Sequence, residues 1–104
     1  MQHTKTPWRV GSPNRMGSVV ADEPVPEIGG SEDVAYYGGH LIAESIAPRN
    51  AAFIVRACNS HEPLVAALKV ADKFLSGFEG DELQDGIDSK ITQIRRALAA
   101  AGVA

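Results

Sequence analysis

Residues 50–75 constrain the fold more than any other part of the sequence. Apolar side chains recur there mostly at steps of three and four residues, namely at Phe53, Ile54, Ala57, Leu64, Leu68, Ala71 and Leu75. This spacing places them on one face of a helix, and we expect that face to form the core. We expect the helix to begin at Arg49 or Asn50, with Asn50 as its cap. Pro63 interrupts the pattern and predicts a broken or kinked helix.

A second helical pattern lies near the C-terminus. Its apolar residues step by four and three, at Ile87, Ile91, Ile94 and Leu98. The pattern predicts a helix over residues 87–101, with Asp85 as its cap. We expect the apolar stripe of this helix to lie against three leucines of the earlier stretch, Leu64, Leu68 and Leu75.

Two short β-prone runs near the N-terminus predict a hairpin. Trp8-Arg9-Val10 alternates apolar and polar side chains, and a second run occupies residues 16–21. Between them, Ser12-Pro13-Asn14-Arg15 has the residue types of a turn. The segment that follows, residues 22–33, holds two prolines, two glycines and five acidic residues, so we expect a solvated, mobile loop.

A second hairpin is predicted from Gly38-Gly39, because two glycines allow the positive φ angles of a tight turn. The runs on either side, residues 34–37 and 40–43, are rich in β-prone side chains. The expected register places Tyr37 opposite His40.

These elements predict an α+β fold, in which a small antiparallel β-sheet of hairpins is packed against two or three C-terminal helices. The 104 residues fit one domain, and folding at this length buries roughly 65% of the surface of the unfolded chain. We therefore expect a single domain over residues 1–104, with a β-rich part at 1–47 and a helical part at 49–102.

Charge and hydropathy disfavour several classes of partner. The net charge is −3, so tight binding to DNA, RNA or an anionic membrane is not expected. No run approaches the ~20 apolar residues of a transmembrane helix. Cys58 is the single cysteine and the N-terminus lacks the apolar run of a signal peptide, so we expect a cytoplasmic protein.

The sequence lacks the patterns of catalytic and metal sites. Hydrolytic or redox catalysis needs a nucleophile, a base and an orienting group, and no such cluster is visible, so we do not expect an enzyme. His3, His40 and His61 lack the paired spacing of metal ligands. We therefore expect no metal and no cofactor.

Residue types that bind nucleotides do occur in the chain. Arginine binds phosphate through paired N–H donors, amides read base or ribose edges, and aromatic rings stack on bases. The wider set of such residues includes Arg15 and Tyr36. The residues selected as the candidate ligand site are Trp8, Arg9, Tyr37, Arg49, Asn50, Arg56 and Asn59. In the structural alternative, Trp8 packs over the helices, Asn50 caps a helix and Arg56 pairs with an acid.

Three segments carry a family resemblance. His3-Thr4-Lys5-Thr6-Pro7-Trp8 resembles the opening His-Thr-Pro-Gly-Pro-Trp of a group of small phage and prophage proteins, with Lys5 and Thr6 in place of the usual Pro and Gly. Asn50-Ala51-Ala52-Phe53-Ile54 and Leu64-Val65-Ala66-Ala67-Leu68 are similar to the Asn-Ala-x-Leu-Ile and Leu-Leu-x-Ala-Leu segments of that group. The resemblance implies a phage origin.

Two functions follow as hypotheses. The first is a phage-encoded, non-catalytic binding protein that counters host defence by sequestering a small nucleotide signal in the bacterial cytoplasm. The second is a protein-interaction module, whose loop 22–33 and sheet edge bind and inhibit a host protein. In either case we expect a homodimer or higher homo-oligomer, because the alanine-rich last helix has apolar faces that a small sheet cannot cover.

Overall fold

The structure, a computed structural model, describes residues 2–27 and 34–103. The elements in order are β1 (Trp8–Val10), a 3₁₀ turn (Pro13–Arg15), β2 (Val19–Ala21), α1 (Val34–Tyr37), β3 (His40–Ala43), α2 (Pro48–Ser76) and α3 (Ile87–Ala100). The predicted α+β class is confirmed, because a three-stranded antiparallel sheet is followed by two long helices.

The chain divides into two compact units, Met1–Ser60 and His61–Ala104. Helix α2 contributes residues to both units. The organisation as a single domain over 1–104 stays a prediction. The predicted mobile loop 22–33 lies partly outside the described residues, and the described part, 22–27, is mostly exposed.

The sheet of the first unit has the strand order β1-β2-β3, with β2 in the centre. Strand β1 pairs antiparallel with β2, with Trp8 opposite Ala21, which confirms the predicted N-terminal hairpin. Strand β2 also pairs antiparallel with β3, and the register shifts between Val19 and Val20. All three residues of β2 are fully buried, so the central strand forms the core of this unit.

The second predicted hairpin is wrong, because its first strand is in fact the helical turn α1. The N–H of Gly38 donates to the carbonyl oxygen of Val34 at 2.8 Å. Gly38 has a φ of 82°, a left-handed conformation that ends a helical turn as readily as it makes a hairpin. Strand β3 pairs with β2 instead, so His40 lies opposite Ala21 and not opposite Tyr37.

Helix α2 is continuous through Pro63, so the predicted break is wrong, and the alternative of a kink stays a prediction. Proline lacks the N–H that bonds four residues back, but alanine and other helix-favouring residues lie on both sides of it. The helix begins at Pro48, a first position where the missing N–H removes no helical hydrogen bond. Asn50 therefore lies inside the helix and does not cap it, and its N–H donates to the carbonyl oxygen of Ala47 at 2.8 Å.

The apolar face predicted for α2 does not form the core. Phe53 is 58% exposed and Leu64 is 62% exposed. Among the described residues of this helix, only Ala51 is buried. The buried apolar residues lie instead mainly in β2 and α3. Helical spacing groups side chains on one face, but it does not supply the element that covers the face.

In the second unit, α3 buries most of its predicted stripe. Ile87, Ile91 and Leu98 are buried as expected. The exposure of Leu64 shows that this leucine is not covered by the stripe. The predicted cap is also wrong, because Gly86, with a φ of 74°, precedes the first turn and no side-chain hydrogen bond caps it.

Arg95 of α3 connects two acidic residues of the second unit. Its Nε donates to Oδ1 of Asp72 at 3.0 Å, and a terminal amino group donates to Oε1 of Glu79 at 3.4 Å. The hydrogen bonds to Asp72 and then to Glu79 raise the pKa of Arg95 above its usual value. These ion pairs join α3 to the end of α2 and to the connection that follows it.

Candidate functional site

A cleft of about 280 Å³ lies in the first unit. The described residues that line it come from three short segments, 14–18, 36–37 and 44–45. The first leads into β2, the second ends α1, and the third follows β3. Segments that border strands often carry binding residues, because their side chains are not needed in the core. We call this site the Arg15 cleft.

Backbone hydrogen bonds hold the three segments in place. The N–H of Ser12 donates to the carbonyl oxygen of Tyr37 at 2.8 Å, and the N–H of Ile46 donates to that of Gly17 at 3.0 Å. A β-carbon on residue 17 would lie only 2.4 Å from the carbonyl oxygen of Ile46. Glycine at this position therefore permits the close approach of two walls of the cleft.

Arg15 supplies a guanidinium group to the cleft. Its Cζ lies 3.9 Å from the centroid of the Tyr36 ring, which is a cation–π contact. One terminal amino group donates to the carbonyl oxygen of Asn14 at 2.8 Å. Its Nε is buried and has no hydrogen-bond partner among the described residues.

Glu44 supplies a carboxylate to the same cleft. The hydroxyl of Tyr37 donates to its Oε2. The rings of Tyr36 and Tyr37 meet edge to face, with 4.8 Å between their centroids. Ser45 has a φ of 63°, a conformation that residues other than glycine seldom adopt and that is frequent at binding sites. A guanidinium, a carboxylate and two phenols can together bind a planar, polar ligand.

Two residues of the sequence-based site, Trp8 and Asn59, pair with each other. The N–H of Trp8 donates to Oδ1 of Asn59 at 2.7 Å, and Nδ2 of Asn59 donates to the carbonyl oxygen of Trp8 at 2.8 Å. The indole Nε1 of Trp8 donates to the carbonyl oxygen of Thr4 at 3.2 Å. These contacts give both residues a structural role.

Arg9 also has partners within the first unit. It donates to a carboxylate oxygen of Asp22, and it donates to the carbonyl oxygen of Gly38 at 2.8 Å. The side chain thus joins β1 to the end of β2 and to the glycine that follows α1.

The remaining predicted residues, Arg49, Asn50 and Arg56, are exposed near the start of α2. The Cζ of Arg56 lies 5.7 Å from the centroid of the Phe53 ring. Of the seven residues selected from the sequence, Tyr37 lines the Arg15 cleft and the other six do not. A ligand-binding role for those six stays a prediction.

Apart from Tyr37, the residues that the cleft brings together are not in the set selected from the sequence. Arg15 and Tyr36 belong only to the wider set, and Glu44 and Ser45 carry no motif. The turn residues before Arg15 were a usable signal, because they indicate that this arginine lies outside the strands. No comparable signal marks Glu44.

In the part of the chain that the structure describes, no three His, Cys, Asp or Glu side chains are grouped so that they could hold a metal ion. The helices described there include none with the length and apolar content to span a membrane. Comparison of the chain with protein-family models, with curated proteins and with solved structures finds no match. The resemblance to small phage proteins therefore stays a prediction.

Proposed function

We propose that the chain binds a small nucleotide in the Arg15 cleft and leaves it chemically unchanged. The observation that carries the proposal is the position of Arg15, whose guanidinium lies 3.9 Å from the Tyr36 ring centroid. A guanidinium held against an aromatic ring is oriented before the ligand arrives, so less conformational entropy is lost on binding. Phosphate suits it well, because paired N–H donors match phosphate oxygens.

The size of the cleft favours one mononucleotide. Sites for drug-sized ligands have volumes of roughly 300 to 1,000 Å³. At about 280 Å³, the Arg15 cleft is just below that range. The cleft therefore suits a ligand no larger than one mononucleotide. Tyr36, which is 54% exposed, adds an aromatic surface for stacking.

The proposed biological role is sequestration of a host signal by a phage-encoded protein. Sequestration requires binding alone, which a cleft of one guanidinium, one carboxylate and two phenols can provide. The phage origin and the anti-defence role rest on the sequence resemblance and belong to this proposal.

A second candidate function is binding to a host protein. Exposed apolar side chains along α2 favour it, since Phe53, Leu64 and Phe74 are each more than half exposed. Apolar groups exposed in this way are typical of surfaces that contact proteins. They also support the proposed homodimer or higher homo-oligomer. The loop 22–33 and the sheet edge remain the other candidate surfaces for such a partner.

Native mass spectrometry tests the main proposal. The protein is incubated with a nucleotide extract of bacterial cells, desalted, and weighed before and after denaturation. We expect a stoichiometric small molecule that is released on denaturation and has the mass of a nucleotide. Arg15→Ala should lose this molecule.

Arg49→Ala is the matched comparison, because it also removes one positive charge but at a residue of the sequence-based site that lies outside the cleft. It should retain the ligand. If Arg49→Ala loses the ligand and Arg15→Ala retains it, the site lies near the start of α2 and not in the cleft. A wild-type protein that carries no small molecule would contradict the proposal and favour a protein partner.

A further inference from the structure

We infer that the Arg15 cleft selects guanine nucleotides, and that the carboxylate of Glu44 makes the selection. The inference rests on the proposed function and assigns the base that the site would take. Glu44 and Arg15 line the same cleft, so one ligand can contact a carboxylate and a guanidinium together.

The position of Glu44 is fixed by contacts on both sides of it. Strand β3 ends at Ala43, and the N–H of Ile46 donates to the carbonyl oxygen of Gly17 at 3.0 Å. At the side chain, the Tyr37 hydroxyl donates to Oε2. A carboxylate can accept about four hydrogen bonds, so this contact orients the group and leaves acceptor positions for a ligand.

The chemistry of a carboxylate discriminates among the bases. An ionised carboxylate only accepts hydrogen bonds, and it suits two adjacent N–H donors. Guanine presents such a pair, at N1 and at the 2-amino group. Adenine and cytosine present an amino group beside a ring nitrogen that is itself an acceptor, and that nitrogen repels the carboxylate. Guanine is therefore the base that fits Glu44.

The opposite charges of Arg15 and Glu44 also argue against a simple anion. Inorganic phosphate is attracted by the positive charge of Arg15 but repelled by the negative charge of Glu44. A guanine nucleotide offsets this repulsion, because its base donates hydrogen bonds to Glu44 while its phosphate binds Arg15. The ligand that satisfies both side chains has an N–H edge and an anionic group.

Isothermal titration calorimetry with four probes tests the inference. The probes are guanosine, inosine and adenosine 5′-monophosphates and inorganic phosphate. Inosine monophosphate keeps the N1–H but lacks the 2-amino group. We expect it to bind about tenfold more weakly than guanosine monophosphate, since one hydrogen bond to a charged group contributes roughly that factor. Adenosine monophosphate and inorganic phosphate should bind more weakly still.

Glu44→Gln should remove the preference for guanosine over adenosine monophosphate, because an amide supplies a donor where the carboxylate only accepts. Glu23→Gln makes the same charge change at an exposed residue outside the cleft and should keep the preference. Thermal unfolding of both variants checks that each is folded.

Equal affinity of the wild-type protein for all three nucleotides would overturn the guanine inference and leave the proposed function standing. An unchanged preference in Glu44→Gln would overturn the role of that carboxylate. If none of the three nucleotides binds while the protein is folded, both the inference and the proposed function are wrong.

Discussion

The side-chain amide of Asn59 forms two hydrogen bonds with the backbone of Trp8. Its Oδ1 accepts from the N–H at 2.7 Å and its Nδ2 donates to the carbonyl oxygen at 2.8 Å. Trp8 lies in β1, an edge strand of the sheet, and an edge strand has backbone groups without a strand partner. The amide of Asn59 therefore forms with the backbone of Trp8 the two hydrogen bonds that a fourth strand would otherwise form.

Asn59→Ala should lower the free energy of unfolding by about 1 to 3 kcal/mol, because it leaves two partly buried backbone groups unpaired. Urea unfolding measures the change. Asn50→Ala is the control, since Asn50 is exposed on the same helix, and it should stay within about 0.5 kcal/mol of the wild type. Equal stability of the two variants would show that the pairing contributes nothing.

Pro63→Ala should stabilise the protein. Proline is roughly 3 kcal/mol less favourable than alanine inside a helix, and Pro63 lies within α2. Part of this difference should appear as a higher melting temperature by circular dichroism. Pro48→Ala, at the first position of the same helix, should change it little. A lower melting temperature for Pro63→Ala would indicate that the proline is needed for the native packing.

Gly17→Ala should destabilise the first unit by about 1 to 3 kcal/mol, the usual range for overpacking. The added β-carbon would lie 2.4 Å from the carbonyl oxygen of Ile46 and would push two cleft walls apart. Gly77→Ala is the control, because its β-carbon would lie 3.4 Å from the nearest atom. Chemical unfolding compares the two variants. Similar losses of unfolding free energy in Gly17→Ala and Gly77→Ala would contradict the close approach at Gly17.

Phe74→Ser should leave stability nearly unchanged, within about 1 kcal/mol, because Phe74 is 68% exposed. Val20→Ala, in the buried central strand, should lower the free energy of unfolding by about 1 to 3 kcal/mol.

Sedimentation of Phe74→Ser also tests the proposed homo-oligomer. The variant should be dissociated at protein concentrations at which the wild type is still associated. Identical sedimentation would remove Phe74 from any interface between copies.

Arg95→Gln should lower the melting temperature, and added salt should reduce the difference from the wild type, because the ion pairs with Asp72 and Glu79 are exposed. The pKa of Arg95 is raised by folding. A raised pKa stabilises the folded state below the unfolded pKa and stops doing so as the pH rises through the folded pKa. For arginine this loss lies at strongly alkaline pH. The effect of Arg95→Gln should thus be constant from about pH 6 to 9.

The matched control for Arg95→Gln is Arg96→Gln. Arg96 is exposed on α3 and has no ion pair among the described residues. Its replacement should change the melting temperature less than Arg95→Gln does. A difference that persists in high salt would point to packing of the Arg95 side chain and not to its charge.

Local patterns predicted part of the fold. The alternation of apolar and polar residues predicted the N-terminal hairpin, and helical spacing predicted the buried stripe of α3. Both patterns can be seen within a short segment of the sequence. The second hairpin was mispredicted because Gly38 suits the end of a helical turn equally well. The strand order that places β3 beside β2 depends on packing between distant residues, and no local pattern contains it.

The exposure of α2 and the Arg15 cleft could not be predicted for a related reason. Spacing groups Phe53 and Leu64 with other apolar residues, yet burial depends on what lies opposite them. In the same way, the sequence shows that the chain has a suitable arginine, tyrosine and glutamate. It does not show that Arg15, Tyr36 and Glu44 border one cleft.

The cleft residues lie in short segments that border the strands, whereas the buried core of the first unit centres on β2. Under the proposed function, a mutation at Tyr36 or Glu44 would change what the cleft binds without removing a buried methyl group from Val19 or Val20. In evolutionary terms, specificity at Tyr36 and Glu44 would then vary separately from the buried strand. A lineage under pressure from a changing ligand would then replace one or two of these residues and keep the same sheet.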